Sequence, residues 1–465
     1  MKNYRFLFLM IFMVMTTLTA CRQENPESGF TGAENEVKIM TLNPGHFHAG
    51  LVHKYDYGQV DPVVHIYAPE GNELESHLAL LERFNTREEN PTNWIPRVYR
   101  GQDYLEQMLR EKPGNVMVVA GNNARKIEYI HQAVEAGIHV LSDKPMVIHP
   151  DHFSLLKQTL EHADQNGLLV NDIMTERHEI TSILQKELSQ MPELFGEMLQ
   201  GTPDDPAITK ESVHYFSKIV AGEPLVRPAW FFDVTQQGEA IVDVSTHLVD
   251  LILWQSFPGD PIDYEDPADG VEVLSARSWE TELTPAQFQK VTKQEAFPEY
   301  LMKNVDENSV LGVAANGEFT FRVKGVHGKV SVRWGFENPA GGDTHYSIMR
   351  GTRANLTIRQ DEEQDFNATL YVEPAGEVNQ QQFETTLRES LASLSDRYPG
   401  LSAEPTEFGW KILIPGEFLE GHEEHFTRVT ELYLDSLVEG RLSEWERTNL
   451  LTKYYMTTRA YELSR

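Results

Sequence analysis

The stretch GIHVLSDKPM, residues 137–146, decides the fold. It reads as a short apolar strand, His139 to Leu141, that runs into a polar turn and stops at Lys144-Pro145. Ahead of it, Ile127, Ile130, Ala133 and Val134 recur at spacings of three and four, and Gly137 closes that helix. A helix feeding a buried strand is the repeating unit of a parallel sheet. In open sheets of this kind, ligands sit at the carboxyl ends of the strands. Lys144 lies there, its backbone restricted by the proline that follows. It is either aimed at a ligand or a solvated loop charge.

Working outward, the same alternation extends on both sides. Candidate strands occupy 37–42, 63–68, 115–120 and 168–172. Helical spacing fills 48–55, 73–84 and 103–110, and Pro150 opens a helix with Phe153, Leu156, Leu160 and Ala163 on one face. The expected architecture is an α/β Rossmann-type parallel sheet. After about residue 172 the rhythm changes. Helices are expected near 180–188 and 240–254. Period-two segments then follow at 317–325, 329–337, 354–360 and 368–374. Residues 376–410 look partly helical, and the tail reads as two helices, 422–439 and 443–465. The second unit is therefore an α+β domain with a mainly antiparallel sheet, 173–465, after a first domain at 36–172.

The amino terminus carries Lys2 and Arg5, an unbroken apolar run at 6–15, then Leu18-Thr19-Ala20-Cys21. The run is too short to span a bilayer, so residues 1–20 read as a signal peptide. The residues before Cys21 resemble the lipobox of bacterial lipoproteins, and Cys21 is the only cysteine in 465 residues. The expectation is a lipid on Cys21, a polar tether over 21–35, and a periplasmic or outer-membrane location. No Arg-Arg pair is present, which argues for export of an unfolded chain. The net charge of −31, from 71 acidic and 40 basic residues, argues against a nucleic-acid partner.

Two further stretches carry chemistry. After the first strand comes LNPGHFHAGL, residues 42–51. A dinucleotide fold prefers G-x-G-x-x-G there. This loop offers only Gly45 and Gly50, behind Asn43-Pro44. His46 and His48 in the loop are candidates to touch phosphate or substrate, or are local hydrogen-bonding residues. Glu70, after the second strand, is the candidate acid for a ribose hydroxyl. The other stretch is GEAIVDVSTHLVDLILW, residues 238–254, where Asp243, His247 and Asp250 fall at i, i+4 and i+7 and share one helical face. An imidazole one turn from a carboxylate suits proton abstraction from a hydroxyl; a solvated polar face is the competing reading.

Taken together, these segments resemble the glucose–fructose oxidoreductase / inositol dehydrogenase (Gfo/Idh/MocA) family. Its A-G-k-H-V-l-x-E-K-P motif reads here Ala136 to Pro145, with Asp143 for Glu. Its D-x-G-x-H-x-x-D helix reads Asp243 to Asp250, with Ser245 for Gly. Its T-P-N loop reads Gly121-Asn122-Asn123.

The resemblance implies NAD or NADP as cofactor, with NAD favoured. Asn43, Pro44, Gly45, His46, Phe47, Glu70, Gly121, Asn122, Asn123, Asp143 and Lys144 would line its site. It implies Lys144 beside the reacting hydroxyl, His247 as acid/base and Asp243 as its partner or a substrate ligand. Arg177 and Trp230 join Lys144, Asp243 and His247 as candidate substrate ligands. His214, Asp233, His345 and Arg350 are further candidates for lining a pocket. No metal ligands are expected.

The function implied is oxidation of a sugar or glycoside hydroxyl outside the cytoplasm, with a tightly held, internally recycled cofactor. Redox-neutral glycoside cleavage or epimerisation, and a non-catalytic sugar-binding lipoprotein, are the alternatives. A homo-oligomer packed through the second-domain sheet is also implied.

Overall fold

In the first half of the chain, segments such as IMTL and VMVV are apolar on both faces, so they are stable only as strands covered on both sides. The computed structural model describes residues 29–220 and 223–465. The expected signal peptide, the Cys21 lipidation site and the start of the tether lie outside the described residues. Six strands form the first sheet: β1 (Ile39–Leu42), β2 (Val63–Ala68), β3 (Ile95–Arg100), β4 (Val116–Val119), β5 (His139–Asp143) and β6 (Val170–Ile173). All pair in parallel, in the order β3-β2-β1-β4-β5-β6. Helices α1 (His48–Leu51), α2 (Asn72–Thr86), α3 (Tyr104–Glu111), α4 (Lys126–Glu135) and α5 (Phe153–Gln165) connect them. The order reverses between β1 and β4, the position at which open α/β sheets bind ligands. The Rossmann-type expectation holds.

The helix expected over 48–55 shrinks to a single turn. Carbonyls that would continue it are captured by side chains: Trp94 Nε1 donates to the His53 oxygen at 2.7 Å, and Arg87 Nη2 to the Lys54 oxygen at 2.6 Å. His53 is thereby buried against Trp94 and His77, with 6.2 Å between the two imidazole centroids.

Burial pushes His53 down to about 3, aided by His77, and His77 down to about 4. In the unfolded chain both titrate near about 6.5. Below that pH the unfolded state binds more protons than the folded state, so stability falls as pH drops from about 6.5 towards 4. The slope is about 1.4 kcal/mol per pH unit for each histidine. Urea melts across this range are expected to show that loss, and His77→Leu to flatten it. A wild-type midpoint that does not change over the range would contradict the burial of neutral imidazoles.

The second domain begins with α6 (Ile180–Ser189). Its nine-stranded sheet uses β7 (Ile208–Ser217), β10 (Val271–Leu283), β11 (Leu311–Val323), β12 (Val326–Glu337), β13 (Thr344–Arg350), β14 (Ala354–Gln360), β15 (Thr369–Pro374), β16 (Ser402–Pro405) and β17 (Trp410–Leu413). A small ribbon, β8 (Ile219–Val220) with β9 (Glu223–Pro224), stands apart. The order is β10-β11-β12-β7-β13-β14-β15-β17-β16, antiparallel except where β12 meets β7. Helices α7 (Val234–Gln237), α8 (Ser245–Ser256), α9 (Pro285–Thr292), α10 (Gln380–Ser393), α11 (His422–Glu439) and α12 (Glu444–Leu463) complete the chain. Leu184 and Leu188 of α6 and Leu248, Ile252 and Leu253 of α8 pack on Phe319, Val330 and Leu356 of this sheet.

The sequence assigns the last two helices to the second domain, but in the structure they serve both. Phe426, Val429 and Leu437 of α11 share a core with Ile39, Val64 and Val118 of the first sheet. From α12, Leu450 and Tyr454 enter the core around Met40 and Val140, while Met456 and Ala460 enter that of the second domain. The Tyr454 hydroxyl accepts from Met146 N at 3.0 Å and donates to Asp172 Oδ2 at 2.8 Å. It thus anchors the turn that carries Lys144. Among the described residues no helix is long and apolar enough to cross a membrane.

Candidate active site

At the end of β5 the chain leaves the sheet through Asp143 and Lys144. Lys144 Nζ donates to Asp243 Oδ1 at 2.7 Å, across the boundary between the domains. Both side chains are nearly buried. Burial alone would lower the lysine, but Asp243 and Asp143 outweigh it and hold the ammonium above its ordinary value. The second oxygen of Asp243 accepts from Gln237 Nε2 at 2.8 Å.

The helix expected over 240–254 begins only at Ser245. Residues before it form tight turns, with Val242 N on Glu239 O, Thr246 N on Asp243 O and His247 N on Val244 O. Asp243 therefore sits in a turn and points to Lys144, and it does not partner His247. The reason is electrostatic: a buried ammonium is a stronger partner for a carboxylate than a neutral ring. His247 Nδ1 is buried with no hydrogen-bond partner among the described residues. Burial first, then the Lys144 charge, lowers His247 well below the usual imidazole range. It stands as a neutral ring able to take a proton.

Asp250 and Arg177 also depart from expectation. Arg177 was a candidate substrate ligand. Its Nε and Nη2 instead hold both oxygens of Asp250 at 2.6 Å, and Nη1 meets Glu446 at 2.6 Å. With three of its five N–H donors committed to these carboxylates, it is held in a structural cluster. His214 bonds Asp343 and Ser212, Asp233 caps α7, His345 is paired on the sheet, and Arg350 meets Asp205 at the surface.

The loops after β1 and β4 meet backbone to backbone. A Cβ on Gly121 would lie 2.7 Å from Gly45 N and 2.8 Å from Asn43 O, so only glycine permits this approach. Gly45 N donates to Ala120 O at 3.0 Å. Gln236 and Gln237 of the second domain fix the second loop. Asn122 Nδ2 donates to Gln236 Oε1 at 2.7 Å, and Asn123 Nδ2 to Gln237 O at 2.7 Å.

Trp230, expected at the substrate, lies over the loop that follows β1. Its Cζ2 would be 3.4 Å from a Cβ on Gly45, and its Nε1 donates to Glu73 Oε1 at 3.3 Å. Glu70 is exposed just past β2.

These features fit a dinucleotide. Gly45 and Gly121 let the loops after β1 and β4 meet at the strand reversal, the position at which open α/β sheets bind ligands, and the Trp230 indole lies on Gly45. Glu70 is exposed just beyond β2, and Gly121 to Asn123 with Lys144 border the carboxyl ends of the strands. Phe47 packs against both His46 and His48. The loop differs from a G-x-G-x-x-G turn in its one-turn helix and in the indole laid across it.

Several participants were invisible in the sequence. Gln236, Gln237, Lys126 and His422 come from segments with no motif. Lys126 is fully buried and donates to the Asp143 carbonyl at 2.9 Å; burial pushes it down to about 8. His422 lies 5.7 Å from His48 between ring centroids. His48 Nδ1 is 3.0 Å from Asp143 Oδ2, and His46 Nδ1 is 4.0 Å from the same oxygen.

Residues 47–171 match the family model described as "Oxidoreductase family, NAD-binding Rossmann fold". Residues 184–465 match that of a "Putative oxidoreductase C terminal domain". A crystal structure of "a putative oxidoreductase from Parabacteroides merdae" is 50% identical, covers 94% of this chain and 99% of its own, and has a TM-score of 0.91. The WlbA dehydrogenase from Bordetella pertussis, in complex with NADH and UDP-GlcNAcA, is 14% identical over 93% of this chain and 96% of its own, with a TM-score of 0.54. KijD10, a 3-ketoreductase from Actinomadura kijaniata in complex with NADP and TDP-benzene, is 13% identical over 91% and 96%, with a TM-score of 0.53. No curated protein matches the chain.

Proposed function

The chain belongs to the Gfo/Idh/MocA family of NAD(P)-binding oxidoreductases, and we propose that it oxidises a hydroxyl of a sugar or glycoside outside the cytoplasm. One observation carries this reading: Lys144 of the first domain and Asp243 of the second meet at 2.7 Å, with neutral His247 close enough for the lysine charge to depress it. Bound NAD or NADP supplies the hydride acceptor. Lys144 donates a hydrogen bond to the substrate oxygen and stabilises it as an alkoxide. His247 takes the hydroxyl proton, since its ring is neutral near pH 7. Asp243 keeps Lys144 charged and aimed. The complex of one structure of this fold with NADH and UDP-GlcNAcA supports a saccharide substrate.

Export past a lipobox-like segment implies a compartment with little free dinucleotide. Such a compartment favours a cofactor that is retained between turnovers. Retention favours a redox-neutral cycle, in which the hydride leaves and returns within one site. Oxidation to a ketone acidifies the adjacent C–H, which opens a route to glycoside cleavage or epimerisation.

The test has two readings. Protein purified from its native compartment and denatured is expected to release NAD(H) or NADP(H), seen by absorbance and mass. A saccharide panel followed by product mass then separates loss of two hydrogens from bond cleavage. Protein that releases no dinucleotide, binds none on addition and turns over no saccharide would end the proposal.

A further inference from the structure

We infer that His46, His48 and Asp143 form a binding site for one divalent transition-metal ion of the zinc, manganese or iron(II) class, at the carboxyl edge of the first sheet. The three residues come from the loop after β1, the first position of α1 and the last position of β5. Each offers one donor atom, and the three atoms lie within 4.8 Å of one another. A metal bound through nitrogen and oxygen at about 2.0–2.2 Å holds its donors roughly 3 to 4.4 Å apart. His48 Nδ1 already stands 3.0 Å, and His46 Nδ1 4.0 Å, from Asp143 Oδ2. The two imidazoles are 4.0 Å apart between centroids and nearly perpendicular, at 79°.

The backbone beneath these donors is fixed. Lys126 Nζ and Ser142 Oγ both donate to the Asp143 carbonyl, at 2.9 Å each. The contact between Gly45 and Gly121 fixes the loop that carries His46. His46 Nδ1 accepts from His48 N at 3.4 Å, a weak contact that a metal would displace. Two imidazole nitrogens and one carboxylate suit zinc, manganese or iron(II) and do not suit calcium or magnesium, which prefer oxygen donors.

Two lysines oppose a cation here. Lys144 is offset by Asp243, and Lys126 is occupied by a carbonyl. Three protein donors leave coordination positions for water or for a substrate oxygen. The competing reading is a simple His48–Asp143 hydrogen bond with His46 stacked beside it.

The experiment reads metal binding alone, so it stands or falls apart from the oxidoreductase reading. Chelator-treated, dialysed full-length protein is titrated with CoCl2 and followed by visible absorbance and calorimetry, with bound metal counted by elemental analysis. One Co2+ per chain is expected. Affinity is expected to fall by about 100-fold or more in His46→Gln/His48→Gln and in Asp143→Asn. The His149→Gln control, at an exposed histidine, is expected to bind like wild type. Circular dichroism melts check the fold of each variant. If the double variant does not fold, His46→Gln and Asp143→Asn decide. Wild type that takes up no Co2+, or folded ligand variants that bind it as tightly as wild type, overturns the site.

Discussion

Lys144→Ala is expected to lower turnover on the true saccharide by about 10²–10³-fold, the usual loss when one donor to a developing oxyanion is removed. Lys144 is the cationic donor that reaches Asp243 from the first domain, and its ammonium is held charged by Asp243 and Asp143. The variant carries a second cost. Asp243 is left with only Gln237 on its other oxygen, inside a nearly dry boundary. Breaking such a pair by removing one partner costs about 3–5 kcal/mol. The two effects separate by experiment. Lys144→Ala/Asp243→Asn is expected to regain much of the lost stability in urea melts while remaining inactive. A near-normal rate for Lys144→Ala, measured by product mass, would remove Lys144 from the chemistry.

The largest stability loss is expected from Lys453→Met. Lys453 is fully buried on α12, with Nζ 2.8 Å from Asp172 Oδ1 and 3.0 Å from Asp250 Oδ1. Asp172 lies at the end of the first sheet and Asp250 on α8 of the second domain, so one ammonium neutralises a carboxylate from each. Asp250 retains Arg177 and Asn449 without it. Asp172 retains only the Tyr454 hydroxyl, and burial already raises its pKa despite the lysine. Losing Lys453 therefore leaves a buried carboxylate that must take up a proton or expose itself, at about 3–5 kcal/mol. The urea midpoint is expected to fall accordingly, and Lys453→Met/Asp172→Asn to recover most of the loss through direct coupling of the pair. A single variant as stable as wild type would show that the carboxylates are neutralised by other means.

Five strands of the first sheet were legible because they are buried and the helices between them amphipathic, so residue spacing carries the information locally, whereas the largely exposed edge strand β3 carries no such run. Lys144 and Asp243 were legible as motif positions. Their direct contact was not, because 99 residues separate them and no periodicity links two chain segments so far apart. The pairing expected between Asp243 and His247 failed for the same reason: a one-turn spacing gives proximity on a regular helix, and the turn before α8 is not one. Arg177 looked like a free cation, since its three carboxylate contacts come from residues 250 and 446. His46 and His48 were visible as a pair, but Asp143, the donor that makes them a metal candidate, belongs to a different strand.

By itself, the sequence determined the strand–helix alternation of the first domain, the change to period-two strands in the second, and the strand end that carries Lys144, because hydrophobic spacing and chain breakers act over a few residues; β7, β10, β13, β16 and β17, and the parallel pairing of β12 with β7, emerged only in the fold. Tertiary structure alone decided which charges meet, that α11 and α12 fold back across both domains, and that an indole from the second domain lies over the glycine loop of the first. Those outcomes depend on burial, which turns distant charges and orphaned ring nitrogens into partners only once water has been removed from between them.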